Sequence, residues 1–329
     1  MPISVGRTAI VRLTLACLVA GFFVSGAGAQ PFPSQPIHIT VAAGAGSPPD
    51  IVTRVVANAM AKAEGWTVVV ENKPGALQTI GGRDVLGHPA DGYTICAFSM
   101  PVTAAPALMV NMPFALDKDF AAVGLVSRSY NVLVVTPSLP VNSIADLIAL
   151  LKQKPNKLAF SSGGFGTPAH LVGEMFKLRE HVSALHVPYA RIPQATGDLL
   201  NGTNQFMFIT TLPVVGLIKA GKLRALAVTA PKRIDALPDV ATVAEQGYPE
   251  LAVEDWVGFV VKTGTPQDAA AKLNAALNKA LASPAVKEAF AKIGAETAGG
   301  TRDQFAALIG AQMSHWGKVV KESGITMQK

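Results

Sequence analysis

Short apolar strand patterns alternate with helical patterns along most of this chain, and the alternation limits the folds it can adopt. The runs Ile37–Ala42, Thr67–Glu71 and Tyr93–Phe98 are short, apolar and rich in β-branched residues, and Asp50–Glu64 repeats apolar residues on one helical face. Further strands are predicted at Val132–Val135, Lys157–Phe160, Ala184–Val187, Gln205–Ile209 and Leu223–Val228, and further helices at Ser143–Gln153, Thr167–Glu180 and Pro193–Leu200. The pattern predicts parallel sheets covered by helices on both faces.

The last third of the chain predicts one strand, Trp256–Val261, followed by three helices. Trp256 belongs to the core or to a hinge. The first helix is predicted to start at Thr265–Asp268, with a cap, a proline at the first helical position and an acid that completes a capping box. Ser283-Pro284 starts the second helix, and Thr301–Gln304 starts the third, which runs to about Ser323. The predicted fold is α/β, with two lobes, a helical tail and short crossings near Arg128–Asn131 and Pro249–Asp255.

The first 29 residues predict an export signal. Arg7 and Arg12 occur without acidic neighbours, an apolar run covers Leu13–Val24, and small residues follow at Ala27-Gly28-Ala29. The alternative of a membrane anchor needs roughly 20 apolar residues, more than this run supplies. Cys17 raises a second alternative, a lipoprotein, but the residues before it are a poor lipid-attachment signal. We therefore expect cleavage after Ala29 and a periplasmic mature protein.

Composition excludes several classes of protein. Half of the chain is apolar and 15% is charged, which argues for a sizeable core and against disorder. The net charge of +6 falls to +4 without Arg7 and Arg12, and the excess is scattered rather than arranged as the basic stripe of a nucleic-acid-binding protein. The mature chain keeps one cysteine, Cys96, which predicts a small buried apolar side chain and neither an intrachain disulfide nor a metal cluster.

Two glycine-rich loops each connect a predicted strand to a helix. They are Ala43–Asp50 and Ser161–Pro168. Ligands of open α/β sheets bind beyond the carboxyl ends of the strands, where unpaired N–H groups of helix starts favour anions. Two such loops in different lobes could hold a carboxylate from both sides of a cleft. For either loop alone, a purely structural role stays open, because strand-to-helix turns commonly contain glycine.

Enzyme motifs are missing from the sequence. It lacks a G-x-S-x-G elbow, a phosphate-binding P-loop and an H-E-x-x-H pair. His170 could contact a ligand, but local packing is favoured. The other histidines show no metal-ligand spacing. Asp50 is interpreted as a helix cap rather than a catalytic acid. Tyr189 ends a predicted strand where a ligand could reach it, and a role in lining the cleft stays open.

Eight ordered motifs are spread over most of the chain: Pro36–Val41, Val70–Ala76, Asp91–Thr94, Ala159–Gly163, His186–Tyr189, Ala220–Thr229, Leu237–Val240 and Gly264–Pro266. Together they resemble one known family, the tripartite tricarboxylate transporter substrate receptors, also called Bug receptors. The resemblance runs in register from about Pro33 to the C-terminus.

This resemblance implies a type II periplasmic-binding-protein fold: two α/β lobes joined by two crossovers, with the ligand in the cleft between them. The lobe boundaries are expected at 30–130 plus 252–329 for lobe 1 and at 131–251 for lobe 2. It also implies a monomeric receptor, not an enzyme, that delivers a small carboxylate to the membrane subunits of a transporter. No cofactor and no metal are expected. The expected ligand-binding residues are Gly44, Ala45, Gly46, Ser47, Asp50, Ser99, Ser161, Ser162, Gly163, Gly166, Thr167, His170, Tyr189 and Thr210.

The chain departs from the family pattern at two places. Pro48 and Pro49 occupy the first loop and have no N–H to donate. Ile209-Thr210-Thr211 stands where many relatives carry an acidic residue, so acidic amino acids are less expected as ligands than a less polar organic acid. Two alternative functions stay open on sequence: a sensor read by a membrane signalling protein, and an exported enzyme that uses Ser162 or His170.

Overall fold

The structure is a computed structural model that describes residues 32–189, 191–211 and 213–325. The predicted export signal at 1–29 lies outside the described residues and stays a prediction. Within the described part of the chain, no helix combines the length and apolarity needed to cross a membrane.

The described residues form ten strands and eleven α-helices. The strands are β1 (Ile37–Val41), β2 (Val68–Asn72), β3 (Thr94–Ser99), β4 (Phe120–Val135), β5 (Ala159–Ser162), β6 (Leu185–Pro188), β7 (Phe206–Thr210), β8 (Arg224–Val228), β9 (Glu254–Lys262) and β10 (Ala295–Thr297). The helices are α1 (Pro48–Glu64), α2 (Thr79–Leu86), α3 (Pro101–Leu108), α4 (Leu116–Asp119), α5 (Ile144–Gln153), α6 (Pro168–Glu180), α7 (Ile192–Leu200), α8 (Val215–Lys219), α9 (Gln267–Ala282), α10 (Pro284–Lys292) and α11 (Arg302–Ser323). The strands and helices predicted from periodicity all occur, most with ends shifted by one or two residues.

The ten strands form a mixed sheet rather than the parallel sheets predicted. Its order is β2-β1-β3-β9-β4-β7-β5-β6, with β8 and β10 also pairing with β4. β1 is parallel to β2 and β3, and β5 is parallel to β6 and β7. β9 is antiparallel to β3 and β4, and β4 is antiparallel to β7. The parallel prediction was wrong for these pairs because β4 and β9 enter the sheet from segments that are not strand–helix–strand units.

β4 is the strand that connects the two halves of the sheet. It pairs with β9 as far as Tyr130 and with β7 from Asn131 onward. Only its last part, from Val132, was predicted, since Gly124 and the polar residues from Ser127 to Asn131 interrupt the apolar pattern. The predicted lobe boundaries place a crossing at this point, and they stay a prediction.

Large apolar side chains fill the core on both sides of the sheet. Trp256 of β9 is 1% exposed, and its ring lies 5.4 Å from that of Phe305 on α11. Trp256 is therefore a core residue on one of the strands that pairs with β4. Cys96 of β3 is buried as predicted, and burial raises the pKa of its thiol.

Two of the predicted helix starts have different outcomes. The helix start predicted at Thr301–Gln304 is confirmed. The Thr301 hydroxyl accepts a hydrogen bond from the Gln304 N–H, and the Gln304 side chain accepts one from the Thr301 N–H, which forms a capping box. The capping box predicted at Thr265 is wrong. Its hydroxyl donates to the Lys262 carbonyl, and Pro266 caps α9 instead.

Candidate ligand-binding site

The loop between β5 and α6, Ser161–Thr167, is held in shape by its own hydroxyl groups. The Ser162 hydroxyl accepts from the Gly164 N–H and lies 3.1 Å from the Gly164 carbonyl. The Thr167 hydroxyl donates to the same carbonyl at 2.7 Å. Gly164 and Gly166 have φ values of 111° and 74°, which favour glycine at both positions. The side chains predicted as ligand donors therefore serve first to shape the loop.

The same loop keeps backbone donors without acceptors. Within the described part of the chain, the N–H groups of Gly163, Phe165, Ala169 and His170 have no hydrogen-bond acceptor. The first turn of α6 also contains no acidic residue. Ser161, at the start of the loop and near the end of β5, is fully buried with an unpartnered hydroxyl. Free N–H groups at a helix start without a competing carboxylate favour an anion.

Two histidines pack beneath this loop. The Gly166 N–H donates to Nδ1 of His170 at 3.0 Å, and the His170 ring stacks on that of His186 with 4.3 Å between centroids. Burial lowers the pKa of His170 to about 3, helped by repulsion from His186 and Lys177. Burial and Lys177 lower the pKa of His186 to about 4. Both rings are therefore neutral near pH 7 and add no charge at the loop.

His170 also lies near enough to two other groups to suggest a metal site. Ligand atoms of His170, Glu174 and His186 lie within 4.8 Å of one another. A metal-bound imidazole needs a proton on its other nitrogen, whereas Nδ1 of His170 accepts the Gly166 N–H. Lys177 donates to both oxygens of Glu174 at 2.8 and 2.9 Å. This hydrogen bonding disfavours a cation. Sequence spacing could not show the cluster, because His186 comes from a different element.

The first glycine-rich loop differs from the second because a carboxylate occupies its helix start. Asp50, buried in the first turn of α1, accepts the Gly46 N–H at 2.9 Å and also accepts from Arg54 and Asn72. Burial alone raises the pKa of Asp50, but these hydrogen bonds and the Arg54 charge outweigh burial and hold it below its ordinary value. Asp50 thus has a structural role. The Ser47 side chain donates to the Gly44 carbonyl and caps no helix N–H.

Sequence reasoning missed a strained segment that reaches the second loop. Ala76, Leu77 and Gln78 have consecutive φ values of 45°, 51° and 74°, a left-handed backbone costing about 1–3 kcal/mol per non-glycine residue. Gln78 is fixed by two bonds to Ser99, one in each direction, at 2.6 and 2.8 Å. A Cβ on Gly166 would lie 2.1 Å from Cδ2 of Leu77, so this side chain packs directly on the loop.

Thr210, at the end of β7, lies beside the start of α1. It lines a cavity of about 40 Å³ together with Pro48, Pro49 and Asp255. Burial raises the pKa of Asp255 to about 7, against the hydrogen bond from Trp256 N–H that lowers it. Ser127 and Ser129 of β4 also line this cavity, which gives it a polar wall that the sequence pattern did not indicate.

The hydroxyl group of Tyr189 forms hydrogen bonds with two residues that follow it in the chain, one on α7 and one just after α7. It donates to Asp198 at 2.6 Å and accepts from Asn204 at 2.7 Å.

The structure places most of the predicted residues in two groups, one on each glycine-rich loop. One contains Ser162, Gly163, Gly166, Thr167 and His170, and the other contains Gly44, Ala45, Gly46, Ser47 and Asp50. No hydrogen bond joins the two loops within the described residues.

The comparison with protein families shows to which family the chain belongs. The sequence model of one protein family, described as the tripartite tricarboxylate transporter family receptor, matches residues 52–325. The chain belongs to this receptor family. Protein BugT of Bordetella pertussis is 34% identical over 326 residues, covering 97% of this chain and all of BugT. A protein encoded in the tcbD-tcbE intergenic region of Pseudomonas sp. strain P51 is also 34% identical, over 97% of this chain and 95% of its own length.

Solved structures of family members confirm the α/β periplasmic-binding-protein fold. The periplasmic binding protein BugD is 32% identical with a TM-score of 0.79, covering 90% of this receptor and all of BugD. Rpa4515 of R. palustris, solved with adipate, is 30% identical with a TM-score of 0.81 over the same shares. MatC from Rhodopseudomonas palustris, solved with bound malate, is 27% identical with a TM-score of 0.78, over 88% of this receptor and all of MatC. These relatives are solute-binding proteins, and two were solved with carboxylates.

Proposed function

We propose that this receptor captures a small organic carboxylate outside the inner membrane and delivers it to the membrane subunits of a tripartite tricarboxylate-type transporter. The observation that carries the proposal is the Ser161–Thr167 loop, with its free N–H groups and a first turn of α6 that lacks an acid. Family relatives solved with adipate and malate support a carboxylate as the ligand class. No catalytic step is proposed.

The export signal at 1–29, cleaved after Ala29, belongs to this proposal, because the receptor must meet its solute in the periplasm. We further propose that a monomer closes two lobes, 30–130 plus 252–329 and 131–251, around the ligand. Its carboxylate contacts the N–H groups of Phe165, Ala169 and His170, with the Thr167 hydroxyl beside them. The first glycine-rich loop, which leads into α1, contacts the remainder of the ligand.

A proline substitution tests the proposed site without removing a side-chain function. Ala169→Pro deletes one backbone donor at the second position of α6, and the Pro48-Pro49 start of α1 shows that this chain tolerates paired prolines there. The matched control is Ala285→Pro, because Ser283-Pro284-Ala285 starts α10 as Thr167-Pro168-Ala169 starts α6.

The readout is thermal stabilisation of the mature protein across a panel of carboxylates, since a ligand that binds the native state raises its stability. We expect at least one acid to stabilise the wild type and the Ala285→Pro protein equally. The Ala169→Pro protein should bind that acid tenfold to hundredfold more weakly, because losing one hydrogen bond to a charged group costs about 1.5–3 kcal/mol of binding free energy. Absence of stabilisation by every acid would contradict the proposal.

A further inference from the structure

The two glycine-rich loops differ in the charge that each offers to a ligand. The first turn of α6 keeps the N–H groups of Ala169 and His170 free and contains no acid. The first turn of α1 contains two prolines and the Asp50 carboxylate. Asp50 is already paired with Arg54, and the two prolines lack N–H groups, so the first turn of α1 offers an anion fewer backbone donors than the first turn of α6. A ligand with one carboxylate at α6 therefore fits this pair of loops better than a ligand with a carboxylate at each end.

An apolar groove of about 300 Å³, open to solvent, lies next to Ser161–Thr167, the loop before α6 that we call the α6 loop. We call this groove the tail subsite. Its volume is at the lower end of the range for small-molecule sites. It is lined by Ile192, Pro193, Thr196, Gly197, Leu200 and Pro213. Ile192 joins it to the loop, because a Cβ on Gly163 would lie 3.0 Å from Cδ1 of Ile192.

None of the residues lining the tail subsite carries a charge, and Thr196 Oγ1, its one side-chain polar atom, donates to the Ile192 carbonyl. A carboxylate placed in it would lose water without gaining a partner, which is unfavourable, whereas a hydrocarbon group would gain from burial. Leu77 also packs on Gly166 of the same loop. Apolar side chains thus contact this loop at two of its glycines, Gly163 and Gly166.

We propose that the tail subsite takes the apolar body of an amphiphilic monocarboxylate whose carboxylate binds the N–H groups of the α6 loop. This inference rests on the proposed function and names the chemical class of its ligand. It also distinguishes this receptor from the relatives solved with the dicarboxylates adipate and malate.

The test uses hexanoate and adipate, two six-carbon acids that differ by a second carboxylate, with calorimetry on the purified mature protein. Gly197→Leu fills the tail subsite, since a Cβ on Gly197 meets no atom within 4 Å. Gly310→Leu is the matched control, because Gly310 is a glycine of α11 with equally open surroundings. Both changes replace a helical glycine by leucine, so their effects on folding are comparable.

We expect hexanoate to bind the wild type at least tenfold more tightly than adipate. Gly197→Leu should weaken hexanoate binding at least tenfold, and Gly310→Leu should leave it within twofold. Adipate binding as tightly as hexanoate, or hexanoate binding Gly197→Leu unchanged, would overturn the tail subsite while leaving the carboxylate receptor intact. If the protein binds neither these two acids nor any other carboxylate of the panel, the proposed function fails together with the inference.

Discussion

Oγ of Ser162 and Nε2 of His186 lie 2.7 Å apart, and this hydrogen bond ties the end of β5 to β6 directly beneath the α6 loop. Ser162 also bonds to Gly164, so its hydroxyl is engaged within the loop. His170 stacks on His186 and accepts the Gly166 N–H. The two neutral imidazoles thus help to hold the backbone that presents the free N–H groups.

The two histidines predict a loss of stability in acid. Their folded pKa values of about 3 and about 4 lie below the ordinary 6.5, so the unfolded chain binds more protons as pH falls below about 6.5. Their contribution is complete above about pH 7 and decreases progressively at lower pH. At pH 5 each histidine should reduce the free energy of unfolding by up to about 2 kcal/mol relative to pH 7.5. Urea unfolding across this range measures the loss.

A histidine substitution separates this effect from general acid denaturation. His186→Gln keeps an amide for Ser162 but removes the titrating ring, so the decrease between pH 7.5 and pH 5 should shrink by about 2 kcal/mol. An equal pH dependence in the wild type and in His186→Gln would show that His186 titrates normally in the folded protein.

Gly166 is predicted to be the least replaceable glycine of the α6 loop. Alanine there would combine a φ of 74° with a Cβ 2.1 Å from Leu77, so Gly166→Ala should lower the free energy of unfolding by about 2–4 kcal/mol. Adding Leu77→Ala should recover the steric part. Gly44→Ala is the control, since Gly44 has open space and no positive φ. A Gly166→Ala protein as stable as Gly44→Ala would refute the contact.

Removing the Tyr189 hydroxyl should affect stability and leave ligand binding unchanged. Tyr189→Phe loses the bonds to Asp198 and Asn204 and leaves both groups without this partner, which costs about 1–3 kcal/mol in urea unfolding. Carboxylate affinity should stay within twofold of wild type in calorimetry. A large decrease in affinity at unchanged stability would instead place the hydroxyl on the ligand.

Periodicity was a good guide to this fold wherever strand and helix alternate locally. It located β1, α1, β5 and α6 and therefore both glycine-rich loops. It missed most of β4, because a strand that connects two halves of a sheet carries polar residues where the pairing changes at Asn131. It also predicted parallel pairing for strands whose neighbours are set by long-range contacts.

The sequence predicted the positions of the loops that form the candidate site, but not the hydrogen-bond partners of their side chains. Glycines and hydroxyls marked Ser161–Thr167, yet only the structure shows that the Ser162 and Thr167 hydroxyls bond within the loop. The partners Gln78–Ser99 are 21 residues apart and Ser162–His186 are 24 apart, so no local pattern joins them. The strain at Leu77 is likewise invisible to sequence, since leucine seldom adopts a left-handed backbone.

A crystal structure of the mature receptor with a stabilising carboxylate would show which helix start holds the ligand. We predict carboxylate oxygens at ~3 Å from the N–H groups of Ala169 or His170, at the start of α6. A carboxylate bound instead at the Pro48-Pro49 start of α1, with the α6 N–H groups left in contact with water, would contradict it.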